Sequence, residues 1–170
     1  EPFTSGLGKD LTIVITTSPV KSNPSTALFE ELISSFHIVE DLNKYKVKII
    51  LICDGYKLQG DVGSSKWKSG RVSIEAARNY EGFISNVRKL VEEDKATQRF
   101  FGKLSEMVVV ELAAHAGFSF AVKTAIEKFV KTEFVMIVQH DNTFIRDFNL
   151  KEIVEVLKCN REEVKYVVLN

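Results

Sequence analysis

Short apolar runs separated by stretches of helical spacing constrain this chain more than any other feature. The runs are Leu11 to Thr17 (LTIVITT), Val47 to Cys53 (VKIILIC), Met107 to Leu112 (MVVVEL), Phe134 to Val138 (FVMIV) and Val164 to Leu169 (VKYVVL). Each is rich in β-branched residues and has the length of a strand, and turn residues follow most of them. Between the runs, apolar residues recur at helical intervals. Leu28, Leu32, Phe36 and Val39 form one such set, and Tyr80, Phe83, Val87 and Leu90 another. Phe118, Val122, Ala125 and Phe129 are predicted to face inward from a third helix, and Leu150, Ile153, Val154 and Leu157 from a fourth. Asn23-Pro24, Ser73 and Asp147 read as helix starts, because Asn, Ser and Asp cap helices and Pro suits a first helical position.

Strand and helix therefore alternate. This predicts an α/β fold, a mainly parallel sheet with helices on both faces and right-handed crossovers. The runs are continuous rather than alternating in polarity, as strands covered on both faces are. With 170 residues the chain suffices for one domain with a full core. It begins at Glu1 rather than Met, so we read it as a piece excised or processed from a longer protein.

Charge and motif content exclude several classes. Lys plus Arg equal Asp plus Glu at 23 each, so the basic excess of a nucleic-acid or membrane-surface protein is absent. No apolar run reaches the roughly 18 residues that would give this chain a membrane span. The N-terminus lacks the basic start and apolar core of a signal peptide. Cys53 and Cys159 make neither a disulfide framework nor a zinc site. A reducing, cytoplasmic setting is expected, with the Golgi or another lumen as the alternative if the chain is excised from a longer protein. Dinucleotide-binding GxGxxG, P-loop, GxSxG and HExxH motifs are all missing.

In parallel sheets, ligands bind outside the carboxyl ends of the strands. Here those ends carry Thr16-Thr17-Ser18-Pro19, Cys53-Asp54-Gly55-Tyr56, Ala113-Ala114-His115 and Gln139-His140-Asp141-Asn142. Asp141 follows an apolar strand, where a carboxylate is rigidly based yet open. A hard cation such as Mg2+ or Mn2+ takes one or two such carboxylates and fills its shell with phosphate and water oxygens. Gln139, on the same side by strand alternation, can hydrogen-bond a ribose or sugar hydroxyl. His140 should point the opposite way and is read as structural. Asp54 can accept a nucleobase N–H or a ribose hydroxyl, although Asp-Gly is also a common turn pair. Tyr56 can stack on a base or simply pack. Thr16, Thr17 and Ser18 offer hydroxyl and backbone groups to a nucleoside. His115 precedes a helix whose amino end attracts anions, which makes it a candidate phosphate contact. The long loop from Tyr56 to Val72 holds Lys57, Lys66, Trp67, Lys68 and Arg71, and the run Glu92-Glu93-Asp94-Lys95 reads as a solvated helix end.

Taken in order, these strand ends resemble the GT-A nucleotide-diphospho-sugar glycosyltransferases, particularly family-2-like members. ITTSP at Ile15 to Pro19 is similar to the opening Pro-Thr-type turn, and ICDGY at Ile52 to Tyr56 to the Asp-Asp-Gly-Ser-like turn. AAHAGFSFAVKTAI at Ala113 to Ile126 is similar to the helix after a small-residue stretch, and FVMIVQHDN at Phe134 to Asn142 to the strand ending in Asp-x-Asp. The resemblance implies that residues 1–170 form a single nucleotide-sugar-binding domain. Asp54 would read the base, Thr16 to Pro19 would line the nucleoside pocket, and Asp141 would hold the metal-bound diphosphate.

It further implies a metal-dependent transferase that moves a sugar, from a UDP-sugar or similar donor, to a glycan or other hydroxyl acceptor. Such enzymes commonly invert the anomeric centre by direct displacement. Gln139 departs from the family pattern by replacing the first aspartate of Asp-x-Asp, and the loop from Tyr56 to Val72 is longer than the usual turn. The acceptor half and general base are expected beyond Asn170, so no catalytic base is assigned. A catalytically inactive binding or scaffold module of the same fold is the alternative. A nucleotidyltransferase fits less well, because Ser18 to Lys21 is not a Gly-rich loop.

Overall fold

A computed structural model of the chain describes residues 7–59, 69–100, 103–104 and 106–169. The strands are β1 (Leu11–Thr17), β2 (Lys48–Cys53), β3 (Lys57–Leu58), β4 (Arg71–Val72), β5 (Val108–Glu111) and β6 (Phe134–Gln139). The helices are α1 (Leu7–Asp10), α2 (Ala27–Ser35), α3 (Glu40–Lys44), α4 (Ile74–Thr97), α5 (Phe118–Lys128) and α6 (Leu150–Cys159), with a 3-10 turn at Phe36–Ile38. β5, β2, β1 and β6 form one sheet in that order, and all of its neighbours are parallel. β3 and β4 pair separately in the segment expected to be a loop. Lys66, Trp67 and Lys68 lie outside the described residues.

The sheet is covered on both faces, as continuous apolar strands require. On one face Ile13, Ile15, Ile49 and Leu51 pack with Phe29, Leu32, Phe36, Tyr80, Phe83 and Val87. On the other, Val14, Ile50 and Ile52 meet Ala121 and Ala125 of α5. Small side chains on α5 let that helix sit close over β1 and β2. The fold class expected from the sequence is therefore the one observed. Among the described residues, no helix is long and apolar enough to cross a membrane.

Several local expectations need correction. Residues 164–169 form no strand; they are unpaired with the sheet, Val164 half-buried and the rest exposed, Tyr166 at 78%. β propensity without a neighbouring edge does not make a strand. Asn23-Pro24 does not open a helix: Asn23 Oδ1 accepts from Val20 N–H at 2.9 Å, and α2 starts at Ala27 after Thr26. Ser73 caps α4 as expected, accepting from Ala76 N–H at 3.1 Å. Asp147 does not cap α6, which Asn149 caps by accepting from Glu152 N–H at 2.9 Å. Asp147 instead accepts from Glu40 N–H at 3.1 Å, tying α3 to the segment before α6.

The acidic run 92–95 divides. Glu92 pairs with Lys95 at the surface. Asp94 is fully buried and accepts from Phe100 N–H at 2.6 Å and Leu104 N–H at 3.0 Å. A carboxylate is stable there because those backbone donors replace water.

The two cysteines have opposite environments. Cys53 ends β2 in the core, where burial first of all pushes its thiol up to about 12, while Cys159 is exposed. A thiol reagent is expected to modify Cys159 alone in the native protein and both residues after denaturation. Intact-mass analysis would count the adducts, and rapid native labelling of Cys53 would contradict this packing.

Candidate functional site

Hydrogen bonding beyond the strand ends draws three segments together. Asp54 N–H donates to Thr17 O at 2.8 Å, and His140 N–H donates to Thr16 O at 3.1 Å. Register adds that Gln139 sits beside Thr16. Asn142 N–H donates to Gln139 O at 3.1 Å, closing a turn that holds Asp141 outward. The end of β1 is thus flanked by Asp54 on the β2 side and by Gln139 and Asp141 on the β6 side.

These residues line a cleft of about 200 Å3. Thr16, Thr17, Ser18, Asp54, Gln139 and Asp141 form its polar wall, with Val20, Phe118, Ala121 and His140 completing it. Pockets that enclose a whole small molecule run to roughly 300–1,000 Å3, so this cleft takes one part of a ligand and leaves the rest open. Among the described residues that line it, two are carboxylates and none is Lys or Arg.

Asp54 is 5% exposed, and its acceptors are largely committed. Oδ1 accepts from Ala116 N–H at 2.7 Å and Oδ2 from Gly117 N–H at 3.0 Å. The residue expected to read a base is therefore first of all a clamp on the turn into α5. Gly55 allows this close approach, since a Cβ there would lie 2.3 Å from the Ala114 carbonyl carbon.

Tyr56 and His115 depart from expectation: neither lines the cleft. Tyr56 Oη donates to Glu81, which raises its pKa to about 12, and its ring meets Tyr80 edge-on at 6.3 Å. His115 Nδ1 lies 2.9 Å from Asp54 Oδ2, and Gly70 packs directly against the imidazole. Pro19 is buried and does not line the cleft.

His140 is buried against Phe83, at 6.2 Å between ring centroids, and it also borders the cleft rather than pointing wholly away from it. Burial is the main cause holding its pKa below the ordinary 6.5, opposed by Asp141 and by a bond with the Thr16 backbone. A depressed histidine pKa means the unfolded chain takes up the proton first as pH falls. The stability this neutral ring contributes is complete above 6.5 and declines as pH drops below that value towards the folded pKa. Urea midpoints are expected to fall between pH 7.5 and pH 5.5, and to fall less in His140→Gln. Equal slopes for both proteins would contradict this assignment.

Phe118 was expected to face inward and does not; it lines the cleft at 52% exposure. Periodicity placed it in line with Val122 and Ala125. As the first residue of α5, however, it lies beyond the sheet's carboxyl edge, where there is no strand to cover it. Its position just after Gly117 at the helix start was the available signal.

A divalent metal has a limited donor set here. Among the described residues, no three His, Cys, Asp or Glu side chains gather into a metal-holding group. Asp141 is the exposed carboxylate, Gln139 stands two positions before it, and His140 is buried. This does not fit a metal centre complete within the protein. It fits a hard cation that takes one protein carboxylate and draws most of its ligands from a bound diphosphate.

No family model and no curated protein matches this chain. Among solved structures, the crystal structure of S. aureus TarS, a glycosyltransferase, matches with a TM-score of 0.50 at 14% identity. The shared architecture is the mainly parallel four-stranded α/β sheet with its helices. The match covers 89% of this chain and 20% of that one, so this chain spans about a fifth of the matched protein's length. At this identity the likeness concerns the fold.

Proposed function

We propose that this chain is the donor-binding part of a glycosyltransferase of the GT-A type. It binds a nucleotide-diphosphate sugar, a UDP-sugar in the simplest case, together with Mn2+ or Mg2+. The observation that carries this reading is the convergence of Thr16, Thr17, Ser18, Asp54, Gln139 and Asp141 on one cleft at the strand carboxyl ends of a glycosyltransferase-like fold. A fold alone does not define an activity, so the site chemistry must supply the rest.

The electrostatics favour a cation-dependent ligand. A cleft whose described lining carries carboxylates and no Lys or Arg repels a bare diphosphate. When bound, the cation would neutralise the departing nucleoside diphosphate. Asp141 anchors that end, Gln139 is placed to hydrogen-bond a ribose or sugar hydroxyl, and Thr16 to Ser18 line the nucleoside side. The acceptor is a glycan or another hydroxyl compound.

Gln139 supports a second reading. An amide in place of a second carboxylate suits a binding or scaffold module that retains the donor site without transfer.

Calorimetric titration of UDP, GDP, CDP and their sugars, with and without Mn2+, tests the proposal. One diphosphate is expected to bind in a Mn2+-dependent manner. If none binds at millimolar concentration, the donor-site reading fails. Slow hydrolysis of the bound donor would separate an enzyme from a binding module.

A further inference from the structure

Helix α5 opens with an aromatic ring that its own packing does not use. The residues α5 buries are Ala121, Val122 and Ala125. Phe118 lies one turn before Ala121, and helical side chains lean toward the helix amino end, which here is the cleft. The backbone behind it is pinned, because Asp54 accepts from the N–H groups of Ala116 and Gly117, and Gly117 turns with φ 78°. The ring is thus displayed from a braced turn. Phe120 is also exposed, at 66%, but does not line the cleft.

We propose that Phe118 is the platform on which the nucleobase of a bound nucleotide stacks, with the diphosphate running from there toward Asp141. This rests on the donor-site reading above. Position within the fold sets the direction. α5 packs over β1 and β2, and Asp54 at the end of β2 holds its entry, so Phe118 belongs to the β2 side of the cleft. Asp141 follows β6 on the other side of β1. Charge agrees with this direction. The Phe118 end offers a flat apolar ring and a carboxylate already bonded to two amides, which suits an uncharged aromatic group. The Asp141 end offers an exposed carboxylate, which suits a cation-bearing diphosphate. A base stacked on an aromatic side chain is held through its π-face, which tolerates changes of base.

Calorimetry with UDP and with inorganic pyrophosphate, each with Mn2+, tests this on wild type, Phe118→Ala, Phe118→Tyr and Phe120→Ala. Phe118→Ala is expected to weaken UDP by roughly five- to a hundredfold while leaving pyrophosphate unchanged. Phe118→Tyr should bind UDP like wild type, as should Phe120→Ala. An unchanged UDP affinity in Phe118→Ala overturns the proposal while leaving the donor site intact. An equal loss for pyrophosphate also overturns it, since the residue would then act on the diphosphate end. A loss seen with a UDP-sugar but not with UDP assigns the ring to the sugar instead and overturns the base assignment. If wild type binds neither UDP nor any other nucleoside diphosphate, the donor-site reading itself falls and this inference falls with it.

Discussion

Asp141→Ala is expected to abolish most of the Mn2+-dependent nucleotide binding, with roughly a hundredfold loss of UDP affinity in the presence of the cation. The size follows from how few groups are available. Asp54 is buried and already accepts from two backbone amides. Among the described residues, no Lys or Arg lines the cleft and no alternative cluster of metal-binding side chains occurs. Asp141 is left as the exposed carboxylate that can anchor a cation. A sign reversal gives the prediction a second edge. Without metal, Asp141 repels the diphosphate, so Asp141→Ala should bind UDP slightly better than wild type in EDTA. Because the side chain is exposed in a turn, stability should change by no more than about 0.5 kcal/mol. Isothermal titration with and without Mn2+, beside a melting curve, checks all three statements. Retained Mn2+-dependent binding in the variant would place the cation elsewhere.

Asp54→Ala is expected to act in the opposite way, on stability first. Removing the carboxylate leaves the N–H groups of Ala116 and Gly117 without their acceptor, in a partly buried turn. Hydrogen bonds to a charged acceptor are worth about 1.5–3 kcal/mol each, and partial access of water reduces the loss. A destabilisation of about 3 kcal/mol is expected, or roughly 6–12 °C in Tm for a chain of this size. Asp54→Asn keeps one acceptor oxygen and should lose about half as much. Thermal unfolding of wild type and the two variants would show the order Asp, Asn, Ala. A variant Asp54→Ala as stable as wild type would return Asp54 to the role of a free ligand-binding group.

Much of this molecule was legible from local pattern. Leu11–Thr17 is the strand read from LTIVITT, and β2, β5 and β6 fall within a residue or so of the apolar runs that predicted them. The position of the cleft was legible as well, because strand carboxyl ends in a parallel sheet lie together by construction. Thr16, Thr17, Ser18, Asp54, Gln139 and Asp141 duly share one cleft. Tyr56 and His115 were not legible as outsiders. Both stand at strand ends, yet Glu81 holds the Tyr56 hydroxyl, and His115 sits behind Asp54 against Gly70 without lining the cleft itself.

The sequence by itself determined the strand and helix order, the parallel sheet and the end of it that could hold a ligand. These follow from apolar periodicity and turn chemistry, which act over a few neighbouring residues. Only the tertiary structure decided what individual polar and aromatic side chains meet. Asp94 is buried because Phe100 and Leu104 return their amides to it, and Asp54 is clamped because the turn at Ala116 and Gly117 arrives from more than sixty residues away. Phe118 faces the cleft because the sheet ends beneath it, and residues 164–169 stay out of the sheet because no edge pairs with them. The partners involved stand from six residues away, at Asp94, to more than sixty, at Asp54, and local composition carries no record of them.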